Sequence, residues 1–130
     1  MPSKPAFAHL FGRMMAETRY KNLLFGDISA IALRNRSVEV LRAIIEHGDW
    51  HDRLLNGSDY PLPGVLPLTS PKKWAKAGLL DNAIVPVLNE IQNYNPLLFD
   101  FVLKRHLRVG KQQLPVNIFH TRDFFLRRAP

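Results

Sequence analysis

Apolar and polar residues follow two different periods along the chain, and the changes of period predict its elements. Apolar residues recur at helical spacing in residues 5–18 and in residues 37–48, where a serine can cap the second helix and a glycine can end it. Short apolar runs in residues 22–29 and 53–57 end in small and polar residues, as buried strands do where they enter loops. Residues 22–59 therefore predict a βαβ unit whose strands are parallel neighbours, because a helix connects them.

Turn and helix signals dominate the C-terminal half. Prolines and glycines predict a long irregular loop in residues 60–71, and residues 71–126 are then mainly helical. Asp81 can cap a helix that Pro86 shortens or displaces. The strongest start signal is Asn95-Pro96, and the helix that follows carries on one face Leu97, Leu98, Phe101, Val102 and Arg105.

Length and composition limit both the fold and the chemistry. The 130 residues suit one domain, 1–130, and fall well short of the roughly 250 residues of a whole β/α barrel. The absence of cysteine excludes disulfides, thiolate zinc sites and cysteine nucleophiles, and leaves His, Asp and Glu as metal ligands. The sequence has neither the apolar core of a signal peptide nor about 20 consecutive apolar residues to span a membrane. We therefore expect no membrane partner and a cytoplasmic location.

The net charge of +7 raises the question of an anionic partner. The 18 Lys and Arg residues are spread over the whole chain and are not interleaved with aromatic residues, as they are in proteins that bind single-stranded nucleic acid. Nucleic acid is therefore not the favoured partner. A small basic helical module that binds nucleic acid or protein stays open as the alternative function.

Residues 54–64 combine the end of a predicted strand with a candidate functional group. The apolar run ends in Gly57-Ser58-Asp59, and a Tyr-Pro-Leu-Pro-Gly turn follows at once. In a β/α barrel, polar side chains at the C-terminal tips of strands face the active site. Asp59 is therefore the candidate catalytic residue. The alternative is that its carboxylate only caps the following turn.

Three blocks of sequence resemble one known family. They are residues 23–30 (Leu-Leu-Phe-Gly-Asp-Ile-Ser-Ala), residues 53–61 (Arg-Leu-Leu-Asn-Gly-Ser-Asp-Tyr-Pro) and residues 95–100 (Asn-Pro-Leu-Leu-Phe-Asp). In this order they resemble the C-terminal portion of the amidohydrolase superfamily, in its branch of amidohydrolase-related, metal-dependent hydrolases. The resemblance implies an α/β fold: about strands 7 and 8 of a (β/α)8 TIM barrel with flanking helices, helix-rich and with the barrel incomplete.

The resemblance also implies a reaction. Asp59 matches the aspartate at the tip of the eighth strand, which in the family lies against a catalytic divalent metal, most often zinc. That aspartate takes a proton from the metal-bound water, which then attacks a small-molecule substrate; the metal makes the water acidic enough for a carboxylate to deprotonate it. The implied activity is that of a hydrolase, with decarboxylase or lactonase chemistry as variants, and Asp59 is both the catalytic and the metal-proximal residue.

The chain departs from the family in its remaining metal ligands. The family has a His-x-His pair and further strand-end ligands, whereas the histidines of this chain form no such pair: His9, His47, His51, His106 and His120. His47 and His51 are interpreted as loop histidines, and His106 as a residue that complements a helix dipole. Asp27 ends the preceding strand, and its favoured interpretation is a carboxylate held by turn amides.

These departures predict that the chain is a fragment beginning just after the sixth strand, a part of a longer enzyme that is inactive by itself. One carboxylate cannot hold a catalytic zinc, which generally needs three protein ligands, so we expect no tightly bound zinc in this chain alone. The exposed strand edges would need partners, either an N-terminal barrel part or another copy of the chain.

Overall fold

A computed structural model describes residues 7–65 and 68–126. Within these residues the protein is helix-rich, and its strands form two separate two-stranded sheets and no closed barrel. The first helix, α1, runs from Phe7 to Ala16. The beginning of the helix predicted over residues 5–18 lies outside the described residues, and its end falls two residues earlier than predicted.

The βαβ unit has the parallel pairing that its sequence predicts, but its strands are much shorter. Strand β1 (Gly26–Asp27) pairs with strand β2 (Leu54–Leu55), with Gly26 opposite Leu54 and Asp27 opposite Leu55. Helix α2 (Val38–Glu46) connects them. Residues 18–23 form a 3-10 turn and a further turn, where the predicted strand would begin. Strand β1 is therefore limited to Gly26 and Asp27, the two residues that pair with β2.

Local capping rules account for the helix boundaries. The Ser37 hydroxyl accepts a hydrogen bond from the Val40 amide at 3.4 Å and so begins α2. Helix α3 (Pro71–Lys76) begins at a proline, and Gly78, with a φ of +78°, follows its end. Asp81 caps a 3-10 turn at Asn82–Ile84, which displaces the start of α4 (Val85–Tyr94), as the proline at position 86 predicts.

Two helices that pack against each other, α4 and the next helix in the chain, lie in the C-terminal half. Helix α5 (Pro96–His106) follows α4 almost at once, and the Asn95 side chain caps it by accepting a hydrogen bond from the Leu98 amide at 3.0 Å. A hairpin of strands β3 (Arg108–Val109) and β4 (Gln112–Gln113), which the sequence did not predict, comes next. Helix α6 (Thr121–Leu126) ends the described chain. No described helix has both the length and the apolar content needed to cross a membrane.

The core lies where α2, α3, α4 and α5 meet. Its largest fully buried side chains come from all four helices and the segments between them: Leu41, Ile45, Trp74, Leu79, Leu88, Phe99 and Leu103. The Trp74 indole donates to the Ala32 carbonyl oxygen at 3.1 Å, so its polar atom is satisfied inside the core.

Helix α5 buries a different face from the one that its apolar pattern marks. Leu97, Leu98 and Phe101 are 52%, 45% and 37% exposed, whereas the buried residues are Phe99, Asp100, Leu103 and Lys104. An apolar helix face normally packs into the core. Here the buried face combines the apolar Phe99 and Leu103 with the Asp100–Lys104 ion pair, so core packing and polar contacts together set the rotation of the helix.

A buried guanidinium fixes the irregular segment between α1 and β1. Arg53, 9% exposed, donates to the carbonyl oxygens of Met15 at 2.7 Å, Tyr20 at 3.1 Å and Leu24 at 3.1 Å. These three acceptors belong to the end of α1 and to the turns that follow it. The fork of donors on one side chain therefore replaces the backbone pairing that a longer β1 would provide.

We expect Arg53→Met to lower the free energy of unfolding by about 3 kcal/mol, because it removes three guanidinium hydrogen bonds, including those to the carbonyl oxygens of Met15 and Leu24. Arg53→Lys should recover only part of the loss, since an ammonium cannot reproduce the planar fork. Urea denaturation measures both variants. The matched control is Arg13→Met on the exposed side of α1, with an expected change below about 0.5 kcal/mol; an equal effect of both Met variants would contradict the assignment.

Candidate functional site

The ends of β1 and β2 are joined by the carboxylate of Asp27. Its Oδ1 accepts hydrogen bonds from the Ser29 amide at 2.9 Å, from the Ser29 hydroxyl and from the Gly57 amide at 3.2 Å. Two of these donors are on the turn after β1 and the third is on the turn after β2. The structure therefore places Asp27 as the sequence interpretation does, as a carboxylate held by turn amides.

The surroundings of Asp27 favour its ionised form. Partial burial raises the pKa of its carboxyl group, but the hydrogen bonds from Ser29 and Gly57 and the positive charge of Lys104 outweigh this and hold the pKa below its ordinary value. The Asp27 carboxylate, which bonds to the turns after both strands, is therefore negatively charged at neutral pH.

Asp59 lies four residues after the end of β2 and not directly at the strand tip, with an exposed side chain and a φ of +54°. Its carboxylate accepts no hydrogen bond from any residue in the described ranges. The turn that follows is capped by its neighbour instead, since the Tyr60 amide donates to the Ser58 hydroxyl at 3.2 Å. The backbone carbonyl of Asp59 accepts from the Leu62 amide at 2.8 Å. The left-handed backbone thus closes the turn and leaves the carboxylate unengaged.

Behind the strand tips lies a buried ion pair that the sequence did not single out. The Lys104 ammonium is fully buried and contacts Asp100 Oδ1 at 2.8 Å, Asn56 Oδ1 at 2.6 Å and the Ser29 carbonyl oxygen at 2.9 Å. The Asn56 amide group in turn donates to Asp100 Oδ2 at 3.1 Å. We call Lys104, Asp100, Asn56 and the Ser29 carbonyl the lysine network. It joins α5 to the turns after both strands.

The hydrogen bonds of this network define its protonation. The Asn56 and Ser29 oxygens can only accept hydrogen bonds, and the third contact of Lys104 is a carboxylate oxygen, so the arrangement favours the ammonium form. Burial lowers the pKa of Lys104, and the negative charge of Asp100 beside it opposes that shift. Burial likewise raises the pKa of Asp100, opposed by Lys104 and Asn56. The attraction between the two groups thus counteracts the effect of burial on each.

One signal for this network was present in the sequence. Asp100 and Lys104 are four residues apart, the spacing of an ion pair on one helix face. Such pairs usually lie in solvent, so the spacing alone does not indicate burial. The partner Asn56 is 48 residues away from Lys104 and carries no local signal.

A small cavity lies between Asp59 and the lysine network. It has a volume of about 10 Å³, and its polar lining comes from Ser29, Ser58, Asp59, Thr69 and Asp100. The buried Thr69 hydroxyl has no hydrogen-bond partner within the described part of the chain. This volume admits at most one water molecule. A substrate would therefore have to bind above Asp59, on its solvent side.

Three of the five histidines have side-chain partners in the described structure. The His47 ring stacks on Trp50 with a centroid separation of 3.9 Å. The buried His51 bonds through Nε2 to the Ile44 carbonyl at 3.0 Å, and His106 bonds through Nδ1 to the Val102 carbonyl at 2.8 Å. His51 is thus part of the interior and not only a loop residue.

The described residues do not by themselves fit a catalytic metal. They contain no group of three or more His, Asp or Glu side chains placed to hold an ion. Asp27 and Asp100 both lie near Asp59 in the fold, but each is already engaged, by turn amides and by Lys104 respectively. The structure therefore brings together only one unengaged carboxylate, Asp59, at the mouth of the strand pair.

Comparisons with protein-family models, with curated proteins and with solved structures find no match to this chain.

The lysine network predicts strong coupling between its charges. We expect Lys104→Met and Asp100→Asn each to lower the free energy of unfolding by about 3 kcal/mol, because each leaves a buried charge without its partner. The double variant should lose clearly less than the sum. Chemical denaturation of the four proteins in this cycle measures the coupling. An exposed pair offers the control: Glu17→Gln, which removes the contact with Arg19, should cost less than about 1 kcal/mol. Additive losses in the buried cycle would contradict the assignment.

The lowered pKa of Asp27 predicts a pH-dependent contribution to stability. Because the folded-state pKa lies below the ordinary value of 3.8, the stabilisation is present above pH 3.8 and is lost as the pH falls through the folded-state pKa. Asp27→Ala should therefore be less stable than the wild type at pH 7, and the gap should close in acid. Thermal unfolding between pH 7 and pH 2 measures both proteins. A gap that is constant with pH would show that the Asp27 charge plays no part.

Proposed function

We propose that this chain is the C-terminal part of a metal-dependent hydrolase resembling the amidohydrolase superfamily, and that Asp59 supplies its catalytic carboxylate. The observation that carries the proposal is the state of Asp59. It lies in the loop after the second strand of a parallel pair, on the side of the sheet at which β/α barrels place their chemistry, and its carboxylate is exposed and accepts no hydrogen bond within the described structure.

The position of Asp59 suits a general base. A carboxylate without hydrogen-bond donors can accept a proton from a reacting group that approaches from solvent. Hydrogen bonds to Ser58 and from Leu62 hold the backbone around Asp59, and the lysine network holds Asn56 three residues earlier. The position of Asp59 is therefore fixed by its neighbours. The metal that the family uses would be held by residues outside the described part of this chain.

Two uncovered surfaces support a larger barrel. Strand β1 has a strand neighbour on one side only, whereas the far side of β2 is covered, since the Asn56 amide donates to the Ile118 carbonyl at 3.0 Å. The apolar face of α5, with Leu97, Leu98 and Phe101, is exposed. Additional strands would cover the first surface and an additional helix the second. The open edge of β1 is where a preceding strand of a β/α barrel would pair, whereas the edge of β2 that would meet the first strand is occupied by the segment around Ile118.

The decisive experiment joins this chain to the sequence that precedes it in its gene. We expect that sequence to encode a His-x-His segment and two further strand-end histidines. The joined protein should bind stoichiometric zinc, measured by elemental analysis, and Asp59→Asn should lower kcat for ester or amide hydrolysis by about 10²–10⁴-fold. The proposal fails if the preceding sequence contains no such histidines, or if the 130-residue chain alone binds one tight zinc ion.

The stability of the Asp59 variants separates a functional loss from a structural one. Asn and Gly tolerate the left-handed backbone at this position, so Asp59→Asn and Asp59→Gly should unfold within about 0.5 kcal/mol of the wild type. Asp59→Ala should be less stable by about 1 kcal/mol for the same reason. Loss of activity in the Asn variant at unchanged stability is the result that supports a chemical role for the carboxylate.

A further inference from the structure

The fold brings together cationic side chains that are far apart in the sequence. A bridge between Leu33 and Thr69, and a hydrogen bond from the Arg34 amide to the Leu68 carbonyl at 2.7 Å, join the loop after β1 to the segment before α3. The cationic side chains come from this loop, from α2 and from α3, and we call them the basic face: Arg34, Arg36, Arg42, Lys72, Lys73 and Lys76. Five of them are exposed, and Lys73 is half-buried.

The Lys73 ammonium fixes the loop against α3. It donates to the carbonyl oxygens of Arg34 at 2.6 Å and of Arg36 at 2.5 Å. Arg42 makes a further link between α2 and the end of α3, since its Nη2 donates to the Ala77 carbonyl at 3.5 Å. All these acceptors are neutral backbone oxygens. The contacts therefore hold the positive charges close together without neutralising them.

The basic face has few negative charges beside it. None of its six side chains forms an ion pair within residues 7–65 and 68–126. Residues 34–42 and 71–76 contain one carboxylate, Glu39, whose Oε2 accepts from the Ser37 hydroxyl at 2.7 Å. Asp27, which lines a groove beside the loop, and Asp81, which follows α3, are held by backbone amides, and Glu46 lies at the end of α2. The face therefore carries six of the chain's 18 cationic residues and one of its 11 acidic residues.

The residues around these charges indicate which kind of polyanion fits them. Single-stranded nucleic acid stacks its bases on exposed aromatic rings, but the one aromatic residue of these segments, Trp74, is fully buried. A helix that lies on a membrane inserts its apolar face, but the apolar faces of α2 and α3 are already packed in the core through Leu41, Ile45 and Trp74. The phosphate groups of a double helix require neither feature, because exposed cations are enough to bind them.

We propose that the basic face binds the phosphate backbone of a double-stranded nucleic acid, independently of its base sequence. The contacts come from the five exposed side chains, Arg34, Arg36, Arg42, Lys72 and Lys76, while Lys73 positions the loop. The spread of these residues along the sequence argues against such a partner, and the fold removes that objection by gathering them on one surface. The inference goes beyond the proposed function and does not rest on it.

The test uses the full 130-residue chain and, as the probe, a fluorescein-labelled DNA duplex of about 24 base pairs with a mixed sequence. Fluorescence anisotropy measures the binding constant at NaCl concentrations between about 50 and 200 mM. Each neutralised phosphate contributes about −0.9 to the slope of log K against log salt concentration, so five exposed cations predict a slope between about −3 and −4.5. A second duplex of different sequence should bind with the same affinity.

Two double variants with the same net charge locate the contact. Lys72→Gln with Lys76→Gln removes two exposed charges from α3, and should make the slope shallower by about 2 and weaken binding at least about tenfold at 0.1 M NaCl. Arg13→Gln with Lys21→Gln removes two exposed charges outside the basic face, and should change the affinity by less than about threefold. Circular dichroism and thermal unfolding verify that both double variants fold.

Four outcomes would overturn the proposal. An equal loss in both double variants would show that only the net charge of the chain matters. A slope shallower than about −1.5 would mean that fewer than two phosphates are neutralised. Tighter binding to a single strand of the same length would make exposed bases the ligand, and binding to phosphatidylserine vesicles without binding to the duplex would make a membrane surface the partner. None of these measurements involves Asp59 or a metal, so this inference and the proposed function can fail separately.

Discussion

The structure depends on the Lys104 ammonium, because the strands it supports are too short to hold themselves together. A parallel pair of two-residue strands provides only a few ladder hydrogen bonds, and an isolated pair of strands is marginal in water. The buried ammonium binds the turns after both strands through Ser29 and Asn56 and is itself held by Asp100 on α5. One side chain thus connects the sheet to the helical layer. Arg53 has the corresponding role at the opposite ends of the strands, where it gathers the carbonyl groups between α1 and β1.

Features governed by local chemistry could be predicted from the sequence. The caps at Ser37 and Asn95, the displaced start of α4 and the parallel order of the two strands all follow from neighbouring residues or from the presence of a connecting helix. Features that depend on distant partners could not. Strand β1 ends where its pairing with β2 ends. The rotation of α5 depends in part on the Asp100–Lys104 ion pair and its partner Asn56, which is far from both in the sequence. The hairpin after α5 was missed because each of its strands has only two residues.

In the candidate site, too, features set by neighbouring residues were predicted and features set by distant partners were not. The sequence predicted Asp59 to be a carboxylate after a strand and Asp27 to be a carboxylate held by turn amides. Both predictions depend mainly on the residues next to each aspartate. The buried network behind them was not predicted, because an Asp and a Lys four residues apart usually form an exposed pair. The amidohydrolase resemblance remains a proposal that rests on three sequence blocks and on the position of Asp59 in the loop after β2. The exposed apolar face of α5 and the open edge of β1 are surfaces that further elements would cover.

The left-handed backbone at Asp59 has a consequence for how this protein can change in evolution. Aspartate codons become asparagine or glycine codons through a single nucleotide substitution, and these are the residues that best tolerate the backbone conformation at this position. The carboxylate at position 59 could therefore be lost without a folding defect. If Asp59 has the proposed catalytic role, an asparagine or a glycine aligned with position 59 in related sequences would mark lineages that lost the reaction and kept the fold.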